Sequence, residues 1–194
     1  MKVAIVKYNA GNVRSVANSL RRLDIEPILT DEADELLSAD KIIFPGVGEA
    51  SSAMNYLRER NLDAVIGALK QDVLAICLGM QLLCTWSEEN DTPCLGILPY
   101  KVQRFPRDVG KVPHMGWNSI SDIESPLFDG VADGSRFYFV HSYLVGNGVH
   151  TIAKGSYGVD FSAALKLENF YAVQFHPEKS GAVGAKILKN FLNI

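Results

Sequence analysis

Apolar residues recur along this chain in two alternating rhythms. Short β-branched runs at residues 2–7 (KVAIVK), 25–30 and 41–44 (KIIF) predict strands. Between them Val13, Val16, Ala17, Leu20 and Leu23 return at helical spacing and predict an amphipathic helix. Residues 31–39 predict a short acidic helix, and a further helix is predicted over residues 49–60. Strand and helix alternating in this way argue for a parallel sheet with helices on both faces. From about residue 96 the rhythm changes to short strands between Gly, Pro and Asp turns, roughly 96–105, 117–120, 136–142, 150–154 and 163–167. This half predicts an antiparallel or mixed extension of the sheet. A last strand is expected at residues 171–175. A closing helix at 181–191 should face Val183, Ile187, Leu188 and Phe191 inward.

The stretch around which the chain is organised is residues 73–82, VLAICLGMQL. Val73 to Ile76 fit a buried strand, Cys77 stands at its end, and residues 78–83 read as the first turns of a helix. A nucleophile on a sharp strand-to-helix turn is the elbow of α/β hydrolytic enzymes. Its strained backbone requires small neighbours two residues either side, here Ala75 and Gly79. Helix starts stabilise thiolates and present free N–H groups to an oxyanion. A buried structural cysteine would fit the same run.

Two other stretches bear on that choice. Pro45-Gly46-Val47-Gly48 lies between a predicted strand and a helix. It lacks the spacing of a phosphate loop and fits a tight connection, or the second oxyanion donor of an elbow enzyme. At the other end, Pro177 biases His176 to extended backbone. Alternation in an extended segment would then put His176 and Glu178 on one side, as a base and its orienting carboxylate require. His114, His141 and His150 compete for the base role, but none has a carboxylate beside it. Cys77, His176 and Glu178 together would be the cysteine form of a nucleophile–base–acid triad.

Composition narrows the picture little. The 194 residues, 47% hydrophobic and 21% charged, suit one domain over residues 1–194 with a full core. Net charge is −3, and Lys101, Arg104, Arg107 and Lys111 read as a solvated face rather than a nucleic-acid site. No apolar run reaches membrane-spanning length, and the first residues enter a strand instead of a leader. Three cysteines without metal-ligand spacing suggest a reducing compartment, hence the cytoplasm, and no metal or cofactor is expected.

Residues 76–81 (ICLGMQ) with 174–178 (QFHPE) resemble the class I, or triad, glutamine amidotransferases. Within them PGVG at 45–48, KVPHMGWN at 111–118 and YFVHSY at 138–143 are similar to the branch of glutaminase subunits of imidazole glycerol phosphate synthase. The resemblance runs over essentially the whole chain. It implies the amidotransferase fold, a mostly parallel sheet with a mixed extension, and hydrolysis of the glutamine side-chain amide. It implies Cys77 as nucleophile, His176 as acid–base and Glu178 as orienter. Gly46, Val47, Gly48 and Leu78 would form the oxyanion site, whose strand is thought to need a peptide rearrangement. Gln81 and Glu89 would hold glutamine, with the backbone at Ser142 and Tyr143 taking its α-carboxylate. Asn12, Trp117, Asn118 and Lys179 would face a cyclase partner that receives the ammonia. Two positions depart from the branch: Ala75 replaces an elbow glycine, and Glu49 stands where His is frequent. A glutaminase of another class I amidotransferase, a stand-alone γ-glutamyl hydrolase and a non-enzymatic assembly subunit are the competing readings.

Overall fold

The computed structural model describes residues 1–9 and 12–194. Its first half alternates as the hydrophobic pattern predicts. The elements are β1 (Val3–Val6), α1 (Val13–Arg21), β2 (Ile28–Thr30), α2 (Ala33–Leu37), β3 (Lys41–Gly46), α3 (Ala50–Glu59), α4 (Leu62–Ala68), β4 (Val73–Cys77) and α5 (Leu78–Leu83). Strands dominate thereafter: β5 (Trp86–Ser87), β6 (Thr92–Pro93), β7 (Lys101–Arg104), β8 (His114–Ser121), β9 (Arg136–His141), β10 (Tyr143–Val145), β11 (Thr151–Tyr157), β12 (Val159–Leu167) and β13 (Phe170–Val173). Helix α6 (Gly181–Asn193) ends the chain.

One large sheet runs in the order β2-β1-β3-β4-β13-β12-β11-β8-β9. From β2 to β13 the neighbours are parallel, and from β13 outward they are antiparallel. The expected α/β fold with a mixed extension is therefore the observed one. A smaller sheet has the order β10-β7-β5-β6.

Strand β4 lies between β3 and β13, and its side chains alternate between two cores. Val73 and Ala75 join Ile42, Phe44, Met54, Leu57 and Ile66 on one face. Leu74, Ile76 and Cys77 join Ile43, Leu20, Ile187, Leu188 and Phe191 on the other. A strand covered on both faces must be apolar at every position, which is why VLAI shows no alternation. Each large apolar side chain so buried contributes about 1.5–3 kcal/mol, and the two cores together hold the end of β4 in place.

The departures from expectation are local. The helix expected over 49–60 stops at Glu59, and α4 follows because Asn61 takes a left-handed φ of 54° that breaks the run. Strand β8 starts at His114 instead of 117, and β2 is confined to Ile28–Thr30. Strands β5, β6 and β10 have two or three residues each, too few to leave a periodic signal. Beyond β13 the chain does not stay extended: Pro177–Lys179 is a 3₁₀ turn.

Candidate active site

Cys77 is the last residue of β4 and the cap of α5, with φ 54° and ψ −110°. A non-glycine residue held there costs on the order of 1–3 kcal/mol and persists only where its surroundings impose it. The constraint comes from Gly79, whose backbone lies so close to β3 that a Cβ would run into the Phe44 carbonyl oxygen. Gly46 pairs with Cys77 across the β3–β4 ladder. Behind it the buried Tyr8 donates from its hydroxyl to the Pro45 carbonyl at 2.7 Å and braces the start of the PGVG segment. Burial, with the Cys77 charge, holds the Tyr8 phenol well above its usual range.

His176 is fixed through its backbone. Its N–H donates to the Tyr138 carbonyl at 2.9 Å, and its carbonyl accepts the Ser180 hydroxyl at 2.6 Å. Ser180 Oγ accepts in turn from the Tyr138 N–H at 3.0 Å, closing a clamp between β9 and the turn. Helix α6 rests directly on this turn, since a Cβ at Gly184 would meet the Pro177 carbonyl. His176 Nδ1 and Glu178 Oε1 are 2.8 Å apart, with the two side chains 1% and 0% exposed. The pairing expected from sequence exists, but strand alternation is not its cause. Residues 177–179 coil tightly, with Pro177 opening the turn, and the coil returns Glu178 to the ring.

Burial alone would push the His176 imidazolium toward neutrality. The Cys77 charge first, then the hydrogen bond to Glu178 and its charge, outweigh it and raise the pKa to about 10. Asn12 adds a contact that sequence reasoning missed: its side-chain amide donates to the same Glu178 Oε1 that meets His176. A second amide, Gln174 Nε2, donates to Cys77 Sγ at 3.6 Å.

Cys77 opens into a cavity of about 270 Å³, just below the usual range for small-molecule sites of about 300–1,000 Å³. Val47, Gly48, Leu78, Gln81 and Glu89 line it together with Pro113 and the 140–143 segment, His141, Ser142 and Tyr143 included. Gly46 lies outside this lining, within β3.

The family model for glutamine amidotransferase class-I matches residues 4–194. A protein of Bacteroides fragilis named imidazole glycerol phosphate synthase subunit HisH is 54% identical over the whole of both chains. The Escherichia coli protein of the same name is 48% identical, again over both full lengths. A crystal structure of a glutamine amidotransferase superposes with a TM-score of 0.76 at 19% identity, covering 100% of this chain and 98% of the other. The chain belongs to the class-I glutamine amidotransferases.

In this amidotransferase the residues expected to hold glutamine do converge on the cavity, though not all are free to donate. Gln81 Nε2 donates to the Tyr143 carbonyl at 3.2 Å and to Gln174 Oε1 at 2.9 Å, so its amide hydrogens brace the pocket wall. Glu89 accepts the Ala50 N–H at 2.7 Å, tying the cavity to the start of α3 just beyond the PGVG loop. Burial raises the Glu89 pKa, the Ala50 bond lowers it, and the Glu49 charge adds to the rise. Of the residues expected on a partner-facing rim, Trp117 is 48% exposed and Lys179 is exposed. The Asn12 amide reaches the Glu178 carboxylate, and the Asn118 amide turns inward to His114 and Ser156. Tyr8, Gln174 and Ser180 carried no signal as separate residues. Gln174 alone sat inside a recognised motif, QFHPE.

Proposed function

We propose that this amidotransferase is the glutaminase subunit of imidazole glycerol phosphate synthase, one domain over residues 1–194, working in the cytoplasm with a cyclase partner. The observation that carries the chemistry is Cys77 held on a strained elbow, with an imidazole that the Cys77 charge and Glu178 together keep protonated. The names and identities of its full-length relatives support the pathway.

The Cys77 thiolate attacks the side-chain amide carbon of glutamine. Backbone N–H groups of Leu78 and of the 46–48 segment take the oxyanion, each such donor accounting for about 100- to 1,000-fold in rate. His176 gives its proton to the leaving nitrogen, which departs as ammonia and leaves a glutamyl thioester. Water then adds to the thioester as His176 takes its proton, the C–S bond breaks, and glutamate leaves with thiolate and imidazolium restored. Glu178 holds the ring's tautomer and stabilises its cation throughout. Glutamine's ammonium sits toward Glu89 and its carboxylate at the Ser142–Tyr143 backbone.

Ammonia released into water is protonated and lost as a nucleophile, so the reading requires an acceptor. The test is glutamine turnover and ammonia incorporation with and without the purified cyclase and its ribonucleotide. Turnover by the isolated chain should be very low and rise sharply in the complex. Full activity alone would identify a stand-alone amidase, and indifference to the cyclase would reject this partner.

A further inference from the structure

Two buried histidines that the triad does not use touch each other, and one of them, His141, lines the cavity beside Tyr143. His114 opens β8, His141 closes β9, and the two are paired in register. His114 Nδ1 lies 3.0 Å from His141 Nε2. Phe139 and Tyr157 stack on His114 at 5.1 and 4.2 Å, and Phe105 packs on His141 at 5.1 Å.

The surrounding backbone dictates where their protons sit. Asn118 Oδ1 accepts the Ser119 N–H at 2.9 Å, so its amide nitrogen is the end facing Ser156 O at 2.8 Å and His114 Nε2 at 3.3 Å. A ring nitrogen facing an amide donor must offer its lone pair, which leaves the His114 proton on Nδ1. That proton is donated to His141 Nε2, so His141 carries its own proton on Nδ1 and donates it to the Tyr143 carbonyl at 2.7 Å. Every donor points the same way, from Asn118 toward the cavity. Both rings are neutral: burial lowers His114 to about 4. For His141 burial outweighs the Tyr143 bond and, with the charges of His114 and His176, brings the pKa to about 3.

The end of this chain is a wall of the cavity. The Tyr143 carbonyl accepts both His141 Nδ1 and Gln81 Nε2, so two donors from separate elements hold one peptide group. Ser142 and Tyr143 face the cavity that Cys77 opens into. We propose that His114 and His141 are positioning residues: a one-way relay of hydrogen bonds that locks the Ser142–Tyr143 backbone as the dock for an α-amino-acid carboxylate. The relay sets how tightly a glutamine-like substrate is held, and leaves the rate of attack by Cys77 unchanged. It rests on the glutaminase reading above, because the docked group is the substrate's amino-acid end.

The experiment compares two thiol alkylators on the chain in complex with the purified cyclase and its ribonucleotide, followed at Cys77: the glutamine analogue diazo-oxo-norleucine, and iodoacetamide, which has no amino-acid end. His141→Ala and His114→Phe should raise the analogue concentration for half-maximal inactivation by about tenfold, the scale of one or two net hydrogen bonds. The limiting inactivation rate and the iodoacetamide rate should stay as in the wild type. His141→Asn, which restores an N–H donor toward Tyr143, should recover most of the loss. Nitrogen NMR of the unsubstituted chain should show both rings protonated at Nδ1. Unchanged half-saturation, equal loss of iodoacetamide reactivity, or an Nε2-protonated ring would each overturn the relay. Wild-type chain that the analogue fails to label saturably would sink the glutaminase reading itself, whereas saturable labelling with indifferent variants sinks the relay alone.

Discussion

Two imidazoles, His176 and His141, are buried to nearly the same extent, 1% and 5% exposed, yet they end in opposite charge states. Burial pushes both toward neutrality. At His176 the sulfur of Cys77 and the carboxylate of Glu178 reverse that push, to about 10. At His141 burial is opposed only by the Tyr143 carbonyl, while His114 and the charge of His176 add to it, and the ring falls to about 3. The partners of a buried histidine, more than its depth, therefore decide whether it can move a proton or only hold a shape. The amidotransferase site uses one of each.

The largest expected effect comes from removing the partner that makes His176 different. Cys77→Ala should abolish glutamine hydrolysis in the complex, a loss on the order of 10⁴-fold or more, with circular dichroism and binding to the cyclase unchanged. The same substitution should lower the His176 pKa from about 10, followed by NMR titration, because the Cys77 charge is the strongest influence raising it. Retained turnover would end the triad assignment. Retained His176 basicity would mean that Glu178 alone distinguishes the two rings.

How much of this contrast the sequence discloses follows from the range of the interactions. The elbow is legible because its requirements are local: an apolar strand, a cysteine and small flanking residues within ten positions. His176 and Glu178 are legible as neighbours, although the 3₁₀ turn that joins them is not what strand alternation implies. The relay is invisible for the opposite reason. His114 and His141 lie 27 positions apart and meet only through the register of β8 on β9, which no local pattern encodes. Asn12 and Glu178, 166 positions apart, are a more extreme case. A resemblance transfers a residue's motif, and here Asn12 matched a rim position while its amide reaches the triad carboxylate. The break at Asn61 depends on a single left-handed residue, which hydrophobic periodicity does not register.

Opposite shifts also predict a stability maximum, and its two sides test the contrast separately. His114 and His141 have folded pKa values below the model value of 6.5, so the unfolded chain binds more protons and stability is lost as pH falls from about 6.5 toward 4. His176 has a folded value above it, so its contribution is fully present below about 6.5 and is lost as pH rises toward 10. Each group contributes at most about 1.4 kcal/mol per pH unit within its window. Urea denaturation across pH 4–10 should fall away on both sides by a few kcal/mol. His141→Phe should flatten the acid side and Cys77→Ala the alkaline side. A profile whose acid side survives His141→Phe and His114→Phe together would remove the claim that the pair is held neutral by burial.

The smallest effect distinguishes the clusters by the kinetic parameter it moves. Glu178 Oε1 accepts from His176 Nδ1 and from Asn12 Nδ2, so Asn12 fixes the carboxylate as Glu178 fixes the ring. Losing a donor to a charged group costs about 1.5–3 kcal/mol where nothing replaces it, but the retained His176 bond keeps most of the carboxylate's orientation. Asn12→Ala should therefore lower kcat in the complex by only about three- to tenfold, with KM for glutamine unchanged, since Asn12 is not one of the residues that line the cavity. Asn12→Asp should do worse than Ala, because a second carboxylate against Glu178 replaces an attraction with a repulsion. The relay variants should show the reverse pattern, a raised KM with kcat retained. If Asn12→Ala raises KM and spares kcat, the carboxylate side and the carbonyl side of the site are not separable, and the division between a proton-moving histidine and a shape-holding one fails at its simplest test.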